Sequence, residues 1–176
     1  THYEIHLWGF DFTNRTLQGE AFVDFNTTAS LSTLVLELKT LTVTDVASDY
    51  YGVESFSQEG DFLTIVFDET IAANEHVTLD VRYGGSTFNE TWGGVEWWGA
   101  DYVYNLGVGF DSQPHNLGKT WFPCVDNFTD KATYDLIISV SNDKKAIFGG
   151  NLVEHYDNGD GPSTWHCFTP QESSTH

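Results

Sequence analysis

The amino-acid sequence predicts an all-β fold, a sandwich or curved pair of sheets built from mostly antiparallel strands. Apolar residues alternate with polar ones at period two along most of the 176 residues, which is the spacing of a half-buried strand, and no stretch holds a 3.6-residue period over three turns. Turn-forming residues punctuate the alternation at regular intervals and divide the chain into about eight to ten short strands.

Tyr3, Ile5 and Leu7 share one face of the first strand, and the apolar phase then slips to Trp8, Phe10 and Phe12, as a bulge beside Gly9 would make it. A turn at Thr13 to Arg15 leads into a second strand, Leu17 to Phe25, with Ala21, Val23 and Phe25 in phase, so the two form a hairpin. Leu34, Leu36 and Leu38 make a third run that Leu41 and Val43 continue after a break. A turn from Gln58 to Asp61 precedes Leu63, Ile65 and Phe67, and the Asn74-Glu75 turn precedes Val77, Leu79, Val81 and Tyr83. Further strands are expected at Tyr134 to Val140, Ala146 to Val153 and Thr164 to Thr169. The segment Asp157-Asn158-Gly159-Asp160-Gly161, rich in residues that tolerate a left-handed backbone, forms the last hairpin loop.

Two stretches break the rhythm. Gly84 to Tyr104 is dense in glycine and in the aromatics Trp92, Trp97, Trp98, Tyr102 and Tyr104, and Asn105 to Lys131 is a long loop, a length that usually carries function or is held by neighbours. No repeat or linker divides the chain, so residues 1–176 are expected to be one domain. With 40% apolar residues the chain can bury a core of its own without covalent staples. Cys124 and Cys167 permit at most one disulfide, and as small apolar thiols they are read as buried and free.

The formal charge of −19, from 26 acidic and 7 basic residues, opposes binding to phosphate backbones and anionic membranes. Nucleic acid and membrane are therefore excluded as partners. The acidity suits an exported protein, periplasmic or extracellular, or a domain that steers cationic ligands. No apolar run approaches 18 residues, and no signal segment is present. A start at Thr1 in a chain without methionine reads as a processed or excised piece.

The most specific segment runs from Trp121 to Tyr134. Phe122, Pro123, Cys124, Asp126, Lys131, Ala132, Thr133 and Tyr134 fall in register with F-P-C-x-D-x-P-x-x-K-A-T-[FY], so the segment resembles the signature that closes the amino-terminal domain of the aminopeptidase N family of zinc metallopeptidases. Lys119 stands where that family usually has Arg, Phe128 replaces its Pro, and Asn127 replaces the Glu before it. Taken by themselves, these residues read as structural. Phe122 and Cys124 can enter a core, Pro123 fixes φ, and Asp126 can accept backbone N–H groups and pair with Lys131.

The resemblance implies a saddle-shaped β domain that leans on a separate catalytic domain, and it implies zinc in that domain. This chain has no H-E-x-x-H among its seven His. His2 and His6 have the right spacing in number but lie on a strand, where four residues span about 13 Å. His155, His166 and Cys167 are read as surface or edge residues. No nucleophile elbow or phosphate loop is found, so the chain alone is expected to hold no cofactor, bind no metal and cleave nothing.

Its partners would then be its own catalytic domain and the amino terminus of a peptide substrate. The family holds that terminus with the last residue of T-Q-x-[EQ]. Here Ser112-Gln113-Pro114-His115 stands nearby, and aligning it with a one-residue gap puts His115 at the amine-binding position. Gln113 is the first candidate, because its carbonyl oxygen can accept from an ammonium, and His115, which accepts only as a neutral ring, is the second. Two other readings stay open: a carbohydrate-binding sandwich using the aromatic cluster, and an interaction domain with no peptidase attached. Sequons at Asn14, Asn26, Asn89 and Asn127 matter only in a eukaryotic secretory pathway.

Overall fold

Period-two burial organises the chain in a computed structural model, which describes residues 1–174. Tyr3, Ile5 and Leu7 of β1 (His2–Asp11) point inward, and their register partners Val23, Ala21 and Gly19 lie on β2 (Thr16–Asn26), giving the expected hairpin. The register breaks between Trp8 and Asp11, with Gly9 at φ +61°, so the predicted bulge is present where the apolar phase slips. Asp11 shapes the turn by accepting the Thr13 and Asn14 amides at 2.8 and 2.9 Å.

The remaining strands are β3 (Leu31–Glu37), β4 (Thr42–Ser48), β5 (Val53–Glu59), β6 (Phe62–Ile71), β7 (His76–Ser86), β8 (Asn89–Glu90), β9 (Gly93–Trp98), β10 (Tyr102–Asn105), β11 (Ala132–Val140), β12 (Asn151–Tyr156) and β13 (Ser163–Ser173). Seven form one sheet in the order β12-β13-β11-β1-β2-β7-β4, in which only the β1–β11 pair is parallel. A second sheet, β3-β6-β5, packs on its inner face. Leu36, Leu63, Ile65 and Phe67 from this sheet meet Ile5, Ala21, Val23, Leu79 and Val81 from the larger one in a single core. A third ribbon, β10-β9-β8, stands beside them.

Four expectations need correction. Leu41 and Val43 do not continue the run of Leu34 to Leu38. The chain turns at Lys39–Thr40, with Thr40 at φ +66°, and β4 joins the large sheet while β3 stays in the small one. Strand β5 was not foreseen, because most of its residues are exposed and carry no apolar alternation. The stretch Gly84 to Tyr104, where no strand was expected, completes β7 and supplies the ribbon. The strand expected at Ala146 to Val153 begins only at Asn151; every residue of this edge strand is exposed, so burial imposes no pattern on it. These additions bring the described residues to thirteen strands.

The aromatic stretch divides by face. Trp97 is 8% exposed, contacts the rings of Phe10 and Phe12 beyond the bulge, and donates its indole N–H to the Thr87 hydroxyl at 2.8 Å. Trp98 points the other way, 56% exposed, with its ring parallel to that of Tyr102 at 6.1 Å, and Trp92 is 67% exposed. Between the ribbon and β11 lies an open cleft of about 520 Å³, lined by Phe10, Phe12, Tyr104, Ile138 and Phe148 among others.

Candidate functional site

The signature segment acts as a brace. Phe122 is fully buried, edge-on to Tyr3 at 5.4 Å and Trp121 at 4.7 Å, with Tyr134 stacked on Tyr3 at 5.6 Å. Cys124 extends the edge of β3 through two backbone bonds with Glu37, at 2.8 and 3.1 Å, and the Val125 amide donates to the Tyr3 hydroxyl at 3.2 Å. Pro123 is buried between them, and Cys124 and Cys167 are both free, buried thiols; His166 and Cys167 lie on β13, inside the large sheet between β12 and β11, and not at its surface or edge as was also expected.

The ammonium beside Asp126 belongs to Lys119, where Lys131 was expected. Lys119 lies on the short 3-10 turn Gly118–Thr120 and is buried, with its Nζ 2.8 Å from Glu37 and 3.8 Å from the Asp126 carboxylate; Lys131 lies exposed just ahead of β11. Burial pushes the Lys119 ammonium down, but Glu37 and Asp126 outweigh it and hold it above its ordinary value. Asn127 shapes the turn within the signature, accepting the Thr129 amide and hydroxyl at 2.9 Å each.

Burial raises Tyr3 and Tyr134, and the nearby Cys124 adds to it; burial, with Asp126 and Glu37, raises Cys124 itself; Tyr83 is raised in the same way. All four groups therefore favour the neutral form in the folded state. An unfolded chain ionises its thiols and phenols from about pH 8.5 to 10. The stability these groups contribute is complete below that window, begins to be lost as pH rises into it, and goes on falling towards the raised folded values. The urea midpoint of this chain is thus expected to hold from pH 7 to about 8 and to fall steadily above about 9; a flat profile to pH 11 would contradict this burial pattern.

The brace carries a protruding loop. Leu117 donates to Gly107 at 2.7 Å and Gly109 to His115 at 2.9 Å, a short ladder that leaves Phe110 to Pro114 as its tip, and Asn105 locks its base by accepting the Gly107 amide and donating to Thr120. The tip is solvent-facing, with Phe110 72% exposed. At its end the structure brings the two predicted residues together: Gln113 Nε2 lies 3.0 Å from His115 Nε2, both side chains being exposed. An amide nitrogen can only donate, so this contact makes the imidazole nitrogen the acceptor and leaves Gln113 Oε1 as the acceptor the side chain offers outward.

One residue that sequence reading missed holds this tip. Glu90, on β8, accepts the Asp111 and Ser112 amides at 2.9 and 3.0 Å and the Ser112 hydroxyl. Its only sequence mark is an acidic residue inside a sequon, and nothing in that pattern points 22 residues ahead.

Among the described residues no three His, Cys, Asp or Glu side chains form a group that could hold a metal ion. His2 bonds Thr133 and lies near Asp135, His6 bonds Glu4, His166 bonds Asp135, and His155 stacks on Trp165.

Residues 1–176 match the family profile described as the peptidase M1 N-terminal domain. Comparison with curated proteins gives no match. Similar solved structures include an M1 zinc metallopeptidase from Deinococcus radiodurans and its mutant bound to a Tyr-Ser-Ala substrate, each at TM-score 0.81, 20% identity, 99% of this chain and 39% of that chain. A two-domain M1 zinc metallopeptidase mutant bound to L-arginine has the same identity and coverage and a TM-score of 0.82. The likeness at this identity is one of fold, and the chain spans about two fifths of the length of those structures.

Proposed function

This chain belongs to the peptidase M1 N-terminal domain family, and from that premise we propose that residues 1–176 are the single non-catalytic amino-terminal domain of a longer zinc-dependent aminopeptidase. Its own catalytic domain, which carries the zinc, packs against it. The loop tip helps to wall the substrate site, where Gln113, with His115 as its neighbour, holds the free amino terminus of the peptide. The observation that carries this reading is the Gln113–His115 pair, exposed at the end of a loop braced at both its base and its tip. The contact of Gln113 with His115 leaves its oxygen available to an ammonium group. The net charge of −19 gives the domain a field that favours a cationic ligand.

We assign the exposed rings of Trp92, Trp98 and Tyr102 to the contact with the catalytic domain, since exposed apolar patches of this kind mark interfaces. Trp97, filled in against Phe10 and Phe12, belongs to the domain's own packing. Calorimetric binding of oligosaccharides by residues 1–176 would instead turn the ring row into a sugar platform.

The division of labour has a direct test. Residues 1–176 expressed alone are expected to retain no stoichiometric zinc after dialysis and to leave aminoacyl chromogenic substrates intact, while the full-length protein is expected to retain zinc and to hydrolyse them. One tightly bound zinc on the isolated chain would contradict the assignment.

A further inference from the structure

The hydrogen bonds that shape the loop tip converge on a side chain outside both the signature and the Gln113 motif. Glu90 Oε1 accepts the backbone amides of Asp111 and Ser112, and Oε2 accepts the Ser112 hydroxyl. These are the two residues immediately before Gln113. Burial pushes the Glu90 carboxyl up, but the bonds from Ser112 and Asp111 outweigh it and hold the group below its usual range, so the bonded form is the carboxylate. The fit leaves no slack: a Cβ on Gly109 would lie 2.1 Å from Glu90 Oε1, and one on Gly93 would lie 2.5 Å from the Gly109 Cα. The loop therefore crosses the β8–β9 hairpin at glycine-on-glycine distance, with Glu90 clamping the far side.

We propose that Glu90 is a positioning residue for the substrate's amino terminus, acting through the 111–112 turn to fix where Gln113, oriented by His115, presents its acceptor oxygen. This rests on the reading of the loop as the amine-binding element. Without the clamp the tip beyond Gly109 is held from its base, through the ladder at Gly107 and Gly109 and the Asn105 bonds, and an acceptor that must be ordered at each binding event holds its ligand more weakly.

The test combines kinetics with amide exchange on the full-length enzyme, comparing wild type, Glu90→Ala, Glu90→Gln, Gln113→Ala and the Glu90→Ala/Gln113→Ala double variant. Glu90→Ala is expected to raise KM for aminoacyl substrates about tenfold with kcat within about twofold. Glu90→Gln, which keeps an acceptor oxygen for the two amides, should recover most of that loss. In the Glu90→Ala background the Gln113→Ala penalty should shrink by up to about the tenfold that Glu90→Ala itself costs, because the two act as one unit. The amides of Asp111 and Ser112 should exchange about tenfold faster in Glu90→Ala and at the wild-type rate in Gln113→Ala. Unchanged exchange in Glu90→Ala, or additive effects of the two substitutions on KM, would overturn the positioning role. Faster exchange in Glu90→Ala with a wild-type KM for Gln113→Ala would show the clamp to be real and the amine-binding reading of the loop to be wrong, which also removes Glu90 from substrate positioning.

Discussion

Lys119→Ala is expected to lower the stability of residues 1–176 by about 3 kcal/mol, because it removes the cation from a largely buried set of charges and leaves the anions behind. Glu37 holds the Lys119 ammonium with one oxygen and the Asp126 amide with the other, at 2.8 and 3.2 Å, and Asp126 is itself buried. The same three residues tie the 3-10 turn, the end of β3 and the signature together, and the Lys39 amide donates to the Lys119 carbonyl at 2.7 Å. A loss of this size lowers the thermal midpoint of a domain this long by about 6–12 °C. The double variant Lys119→Met/Glu37→Gln removes the cation and the nearer of its two anions and should recover part of the loss, since each uncompensated charge costs more than a missing pair. The Lys119 ammonium, held above its ordinary value, contributes fully below the unfolded lysine value of about 10.4 and is lost only above it. The Lys119→Ala deficit should therefore be constant between pH 6 and 9. Thermal melts across that range check both the size and the flatness, and a Tm within about 2 °C of wild type would show that the triad adds nothing.

Gln113→Ala in the full-length enzyme is expected to lower kcat/KM by about 10- to 150-fold, the worth of one hydrogen bond to a charged group, roughly 1.5–3 kcal/mol. Most of the change should lie in KM, since an α-ammonium group carries its charge equally in the bound substrate and in the transition state. The loss should be confined to peptides with a free amino terminus. His115→Ala should cost less, because His115 orients the Gln113 amide rather than meeting the amine first. If Gln113→Ala is silent and His115→Ala is impaired, the acceptor is the imidazole; if neither changes, the loop is purely structural.

The parts of this molecule that were legible in its sequence are those where one sheet face is buried. Tyr3, Ile5 and Leu7, or Val77, Leu79, Val81 and Tyr83, must alternate because a register slip would turn them into water, so their spacing announces strand, face and bulge. Strands β5 and β12 are edge strands whose side chains are largely exposed, and no such constraint acts on them. The break after Leu38 looked like an interruption within one strand because Leu41 and Val43 keep the apolar content, whereas the left-handed Thr40 redirects the chain to the other sheet. In the site, Gln113 and His115 could be named from chemistry and motif, and the structure places their side chains in contact at the loop tip. The partners of the signature could not. Glu37 is 82 residues from Lys119 and Glu90 is 22 from Ser112, and pairings across such distances are set by topology rather than by local pattern. Lys131 was matched with Asp126 on sequence proximity, but Lys119 is the cation that the turn carries inward.

A structure of the full-length protein with a bound amino acid or aminopeptide tests the central claim most directly, by the distance from Gln113 Oε1 to the ligand's α-ammonium nitrogen. A hydrogen bond of about 2.7–3.2 Å is expected, with Glu90 still clamping the Asp111 and Ser112 amides. An ammonium held entirely by other side chains, with Gln113 and His115 beyond hydrogen-bond reach even through one water, would contradict it.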